Sequence, residues 1–244
     1  MRREQAPVVG RGPIEVRCTA GSGYSGTART GGGSTGTDPG GGQNDGTGEC
    51  ARYRYDDPLP AGALDNKWFW SENHRIIFAV DEYLAGLALP DRVFTITGLT
   101  GAQHAERARP RIVQWIAERA RYGFSEWHSN VYLKFDYQPL LTLVEFTPDE
   151  ELRRLGAAML DLVLFDIAAH LRDGALGVTH GRTYKKDKMS SLSDTCFNTA
   201  KLLFDSTSRA YTGADDFGAV GFAASTVYRV PEVIRRVARS TDVA

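Results

Sequence analysis

Cysteine is scarce in this chain, with three residues in 244: Cys18, Cys50 and Cys196. Their spacing matches no zinc motif. Cys18 and Cys50 suit a disulfide in an oxidising compartment, with Cys196 left over, and three unpaired thiols fit the same count equally well. Long apolar runs are missing too. None approaches the roughly 18 residues needed to cross a bilayer. Met1 to Ile14 contain no apolar core of a signal peptide. The chain therefore reads as soluble, and a secreted or periplasmic form needs a signal that this chain does not carry. An excess of charge is also absent. Lys plus Arg number 29 and Asp plus Glu 30, a net −1 that argues against nucleic-acid or membrane partners gathered by bulk charge.

Several chemical signatures are missing as well. No Gly-Lys-Ser/Thr follows the glycines, so they form no phosphate loop. Ser71 and Ser125 lack a Gly-x-Ser-x-Gly elbow. No His-x-x-x-His pair lies on a helix. A metal reading would gather His74, His128 and His180 with Glu126, and one histidine per loop supports it poorly. The expectation is no cofactor and no metal.

What is present divides into unlike parts. Residues 1–20 hold one short strand candidate around Ile14-Glu15-Val16. Residues 21–50 form a Gly-rich segment, and 12 of the 26 glycines fall between 21 and 48. Such a stretch buries too little apolar surface to offset its ordering entropy and reads as a disordered linker. Residues 51–244 are rich in aromatic and aliphatic side chains and read as a mainly α domain.

Helical spacing of Ile76, Ile77, Val80, Leu84 and Leu87 predicts a first helix over Ser71–Leu89, stopped by Pro90. Thr100-Gly101-Ala102-Gln103 is a capping box that opens a second helix, ending near Gly123, with Pro110 expected to kink it or move its start. A third helix is expected over Asp136–Phe146, with Pro139 in its first turn. Thr147-Pro148-Asp149-Glu150 reads as a further capping box opening a fourth helix to about Arg172. Ala157 to Ala169 is apolar except for Asp161 and Asp166, which predicts burial on several sides. A fifth helix is expected over Ser191–Asp205 and a last one from Val230-Pro231. Thr95-Ile96-Thr97 is the best strand candidate after residue 60.

Consecutive helices on short links run antiparallel. The N-terminal ends of the first, third and fifth helices then share one end of the assembly. Three polar-aromatic segments sit there: Trp68-Phe69-Trp70-Ser71-Glu72-Asn73-His74, Gly123-Phe124-Ser125-Glu126-Trp127-His128-Ser129-Asn130-Val131-Tyr132, and Thr179-His180-Gly181-Arg182-Thr183-Tyr184. Each contributes one histidine. Helix N-termini add free N–H groups that favour an anionic ligand.

These three motifs, Trp-x-Ser-Glu-Asn-His, Gly-Phe-Ser-Glu-Trp-x-Ser-x-x-Tyr and Thr-His-Gly-Arg-x-Tyr, resemble a group of uncharacterised bacterial proteins of α/α-toroid type. The architecture is shared by alginate and chondroitin lyases, heparinases and six-hairpin glycosidases. The resemblance covers roughly residues 66–205. It implies antiparallel helical hairpins forming part or all of a toroid, and a lyase acting on an acidic polysaccharide. A full toroid of about twelve helices needs roughly 300 residues or more. The six helices counted here suit a fragment or a partial barrel, for which the remainder of a larger protein is an expected partner beside the polysaccharide or oligosaccharide.

The resemblance assigns catalysis to Asn73, His74, Arg182 and Tyr184. In β-elimination an amide and a guanidinium neutralise the uronate carboxylate, which suits Asn73 and Arg182. His74 or His180, with Tyr184 or Tyr132, would move the protons. Trp68, Trp70 and Trp127 suit stacking on sugar faces, and Glu72, Glu126, His128, Tyr132 and His180 complete the expected substrate-binding set. Each has a plainer reading. Asn73 suits a backbone bond in the first turn, His74 a satisfied buried histidine, Arg182 an ion pair with Glu72 or Glu126, and each Trp the core.

Two alternatives stand beside the lyase. Glu72, Glu126 and Asp136 lie near the same face and suit the paired acids of a glycoside hydrolase. The same face also suits a glycan-binding fragment that does not cut. The expectation to be met is that Asn73, His74, Arg182 and Tyr184 surround one cavity.

Overall fold

The structure, a computed structural model, describes residues 70–190, 193–205, 207–213 and 217–240. The expected strand near Ile14, the Gly-rich segment, the Cys18–Cys50 pair and Trp68 lie outside the described residues. Within them the protein is mainly helical. Its long helices are α1 (Glu72–Ala88), α2 (Gly101–Tyr122), α3 (Leu133–Phe146) and α4 (Glu150–Ala169). A two-stranded antiparallel hairpin follows, β1 (Leu171–Arg172) and β2 (Ala175–Leu176), then α5 (Lys185–Met189), α6 (Phe197–Phe204), α7 (Phe217–Ala224) and α8 (Glu232–Arg239). No helix among the described residues is long and apolar enough to cross a membrane.

Helices α1 and α2 form an antiparallel hairpin. Their close approach depends on two glycines: a Cβ on Gly86 would lie 2.4 Å from the Gly101 carbonyl oxygen. Thr100 caps α2 as the sequence predicts, its hydroxyl accepting from the Gln103 N–H while Gln103 Oε1 accepts from the Thr100 N–H. Helices α3 and α4 form the second hairpin. Ile76, Val80, Ile112, Trp115, Tyr137, Leu140, Leu143, Leu160, Val163 and Leu164 make one continuous core across the four, and α8 packs on α4.

The structure corrects several expected boundaries. Pro110 does not interrupt α2, which starts at Gly101 and runs through it. Pro110 and Glu106, whose carbonyl loses its partner, both lie on the exposed face, where water replaces the missing N–H. Helix α3 begins at Leu133, so Pro139 lies in its interior rather than its first turn. The cause is Ser129, whose hydroxyl oxygen accepts from the Tyr132 N–H at 3.1 Å and starts the turn early. Asp149, not Thr147, caps α4. Its carboxylate accepts from the Glu151 and Leu152 N–H groups and is held by Arg109.

Helix α4 ends at Ala169 instead of Arg172, because Asp173-Gly174 turns the chain with φ of 49° and 78°. Two positive φ values in sequence are a type I′ hairpin turn. The fifth helix is shorter than expected, and α5 and α7 are additional. Thr95-Ile96-Thr97 lies in a turn between the bridged residues Val93 and Thr100. Helix α4 is not covered all round by the described residues, since Leu162 and Phe165 remain about half exposed.

One buried charge sits inside the first hairpin. Glu82 is fully buried and meets His104 Nδ1 at 2.7 Å, with Arg107 on the same oxygen and Arg111 on the other. Thr97 in turn bonds His104 Nε2 at 2.8 Å. Removing one partner of such a cluster leaves buried groups unpaired. Glu82→Gln is expected to lower unfolding free energy by about 3 kcal/mol, measured by urea denaturation. A change below about 0.5 kcal/mol would show that the cluster contributes little.

Asp194 gives a pH dependence. It accepts from the Cys196 N–H at 2.8 Å, and burial pushes its carboxyl up to about 7. Asp136 is buried completely and shifts the same way. Below its ordinary value near 4 Asp194 is protonated in both states. Between about 4 and about 7 the unfolded chain releases a proton that the folded one retains, so stability falls as pH rises through that window. Thermal melts should show this fall, and Asp194→Asn should flatten part of it.

Candidate functional site

The site is built where α1 begins. Ser71 caps α1 and lies between two neighbours: Asn73 Oδ1 at 2.9 Å and His74 Nδ1 at 2.5 Å. With the hydroxyl proton given to Asn73 Oδ1, the imidazole donates from Nδ1, and its Nε2 keeps the lone pair. Desolvation lowers the His74 pKa and favours this neutral form. Asn73 is buried, and its oxygen is engaged by Ser71.

Glu72, expected to bind substrate, is instead a buried clamp. Its carboxylate accepts from the Ser125 N–H at 2.8 Å, the Ser125 hydroxyl at 2.7 Å and the Glu126 N–H at 3.0 Å, and pairs with Arg119. Its backbone carbonyl accepts from Trp115 Nε1 at 2.8 Å. The start of α1, the end of α2 and the segment before α3 are thereby joined. Two further acids crowd it. Glu126 is raised by desolvation first and then by the charge of Glu72, with Arg182 opposing, and its Oε2 is buried without a hydrogen-bond partner. Asp136 is raised well above the ordinary value by burial and by both glutamates.

The third polar-aromatic segment docks on the second. The Gly181 N–H donates to the Trp127 carbonyl at 2.9 Å, and His180 Nδ1 donates to the His128 carbonyl at 2.6 Å. The Ser129 hydroxyl donates to the Arg182 carbonyl at 2.7 Å. Only glycine fits at 181, because a Cβ there would lie 2.6 Å from the Trp127 ring. Trp127 keeps about half its surface open, and Trp70 about 70%.

Docking brings Tyr132, Arg182 and Tyr184 together. The two phenol oxygens are 2.5 Å apart, and Arg182 Nη2 donates to Tyr184 Oη at 3.3 Å. The guanidinium also lies over both rings, at 5.5 and 5.4 Å from their centroids. The bonds from Arg182 and Tyr132 lower the Tyr184 pKa, whereas desolvation and its bond to Tyr184 push Tyr132 up to about 12. Within the pair, Tyr184 is therefore the group that ionises first, with Tyr132 as the donor to it.

The structure thus joins Asn73 to His74, and Arg182 to Tyr184. Among the described residues no hydrogen bond or ion pair links the two pairs directly; Glu72 and the 123–132 segment connect them. A pocket of about 200 Å³ lined by Leu202, Leu203, Phe222, Tyr228 and Arg235 contains none of the expected site residues. The histidines also group differently from the sequence reading. His128 meets Asp166 and His170 rather than His74 and Glu126. The signal for this was present: Asp166 and His170 are four residues apart at the end of a helix, on one face.

Comparison with known protein families, curated proteins and solved structures gives no match.

An ultraviolet titration tests the tyrosine pair. One tyrosinate should form below the ordinary value near 10 and disappear in Tyr184→Phe. Arg182→Gln should move that step to higher pH, since a cationic donor favours the phenolate. An unchanged step in Arg182→Gln would remove Arg182 as its cause.

Proposed function

We propose that this protein is a polysaccharide lyase-like enzyme that cleaves an acidic, uronate-containing polysaccharide by β-elimination. Its helical hairpins are then part of an α/α-toroid. The observation that carries the reading is the Tyr184 hydroxyl held between Tyr132 and Arg182.

Elimination needs a neutral base for the α-proton and an acid for the leaving oxygen. The surroundings suit His74 and Tyr184 to those two tasks. His74 is biased towards its neutral form with Nε2 as acceptor, and Tyr184 is a phenol made more acidic by the bonds from Arg182 and Tyr132. Arg182, exposed beside Tyr184, suits the uronate carboxylate by a bidentate pair. Asn73 positions His74 through Ser71 rather than binding the carboxylate itself. Trp70 and Trp127 offer open ring faces to sugars. In the step, His74 takes the proton beside the carboxylate, the carbon–oxygen bond to the leaving sugar breaks, a carbon–carbon double bond forms, and Tyr184 protonates the departing oxygen. The half-exposed Leu162 and Phe165 of α4 suit packing against further helices of the same barrel.

A hydrolase reading draws on Glu126, whose raised pKa and unpartnered buried oxygen suit a general acid. Glu72 does not favour it, being fully engaged as a clamp.

The test is the ultraviolet absorbance of unsaturated uronate products during incubation with a panel of uronate polysaccharides. Absorbance should rise, and His74→Ala and Tyr184→Phe should each lower kcat by about 100-fold or more without loss of binding. The rate should rise with pH through a His74 value below about 6.5 and fall through a Tyr184 value below about 10. New reducing ends without absorbance, lost in Glu126→Gln, would replace the lyase with the hydrolase. Binding with neither product would leave a glycan-binding role.

A further inference from the structure

His128, Asp166 and His170 form a second cluster whose contacts the lyase reading does not use. Asp166 lies in the last turn of α4 and His170 caps its end, four residues on and on the same side. His128 comes from the segment before α3, at the other end of the second hairpin's sequence but beside the end of α4 in space. His128 Nε2 lies 3.2 Å from Asp166 Oδ1, and the two imidazole rings are 4.3 Å apart, tilted by 46°. One ligand atom from each of the three residues falls within 4.8 Å of the others.

The donor chemistry is that of a metal centre. An ion with bonds of about 2.0–2.1 Å in tetrahedral geometry holds its ligand atoms roughly 3.3 Å apart. The His128–Asp166 separation is close to that edge, and is longer than the ~2.7–2.9 Å of a tight charge-assisted hydrogen bond. His170 has the outer-shell bond that metal-binding histidines use. Its Nδ1 donates to the Asp166 carbonyl at 2.7 Å, which fixes the tautomer and leaves the Nε2 lone pair for a ligand bond. His128 Nδ1 is buried and has no hydrogen-bond partner, so no bond to that nitrogen restrains the ring from turning towards an ion. Binding would require these partly buried side chains to rotate so that separations of up to 4.8 Å close.

We infer that His128, Asp166 and His170 bind one divalent transition-metal ion of the zinc class. Two imidazoles and one carboxylate suit zinc and its first-row neighbours and disfavour magnesium and calcium, which take oxygen ligands. Three protein ligands leave a fourth position for water or a ligand. The ion would also tie the 123–132 segment to the end of α4. His128 has φ of 49°, a left-handed conformation that is costly for a residue with a Cβ, and a bond from its side chain to the ion would offset that cost. The proposal is independent of the lyase reading, and its test does not use activity.

The experiment titrates the full chain, freed of metal by chelation, with zinc in a calorimeter. Asp166→Asn and His170→Gln are compared after circular dichroism confirms that they fold. The wild-type chain should bind one equivalent, and each variant should bind about 100-fold more weakly or not at all. Zinc should raise the melting temperature of the wild type only. Cobalt substituted for zinc should show visible bands without thiolate charge transfer, which separates this site from Cys18, Cys50 and Cys196. No uptake by the wild type, equal uptake by both variants, or a thiolate signature from the bound ion would each overturn the proposal. If one variant does not fold, the other decides.

Discussion

The Glu72 carboxylate is the constraint on which the site depends. It is nearly buried, and such a charge is tolerated only when its oxygens are satisfied. Four donors satisfy it: a guanidinium from α2, a hydroxyl and two backbone N–H groups from the segment before α3. This fixes where Ser125 and Glu126 lie relative to α1. From that point the chain runs through Trp127, His128 and Ser129, each of which receives or gives a bond to the 180–182 segment. Tyr132 is thereby set against Tyr184, and His128 against α4. The acid that a sequence reading would place in chemistry instead determines the geometry of the residues around it.

The sequence made the helical hairpins legible because their signals are local. Apolar spacing located α1 to within a residue, and the Thr100–Gln103 box and Gly123 marked the two ends of α2. The proline positions were harder to read, since their cost depends on surroundings. Pro110 is accommodated because its face meets water, whereas Pro139 falls in the interior of α3 because Ser129 starts that helix about one turn earlier. Asp173-Gly174 is a recognisable hairpin turn, obscured by the apolar run before it. Helices α5 and α7 are short and carry little periodicity of their own.

The candidate site was legible in its parts and less so in its pairings. The three polar-aromatic segments do meet. Residue type alone did not indicate that Asn73 engages Ser71, that Glu72 faces inward, or that His128 turns towards Asp166 and His170. The Asn73–Ser71 bond is local, but the other two outcomes depend on contacts between distant parts of the chain, such as Glu72 to Ser125 and His128 to Asp166. Asp161 and Asp166, two polar breaks in an apolar helix, show the difference. One accepts from Tyr228 Oη at 2.6 Å, and the other faces two histidines.

The spacing of these bonds has a kinetic meaning. Each long hairpin closes over a short link, Leu89–Thr100 or Thr147–Asp149, so its contacts form at small loop-closure cost. The docking of the 180–182 segment needs both hairpins already in place, and offers a few polar bonds rather than apolar burial. On these grounds its docking is expected late in folding, and its opening is expected to cost less than unpacking the helices. Opening there would part Tyr184 from Tyr132 without unfolding the protein, so the population of the assembled site is set separately from the stability of the fold.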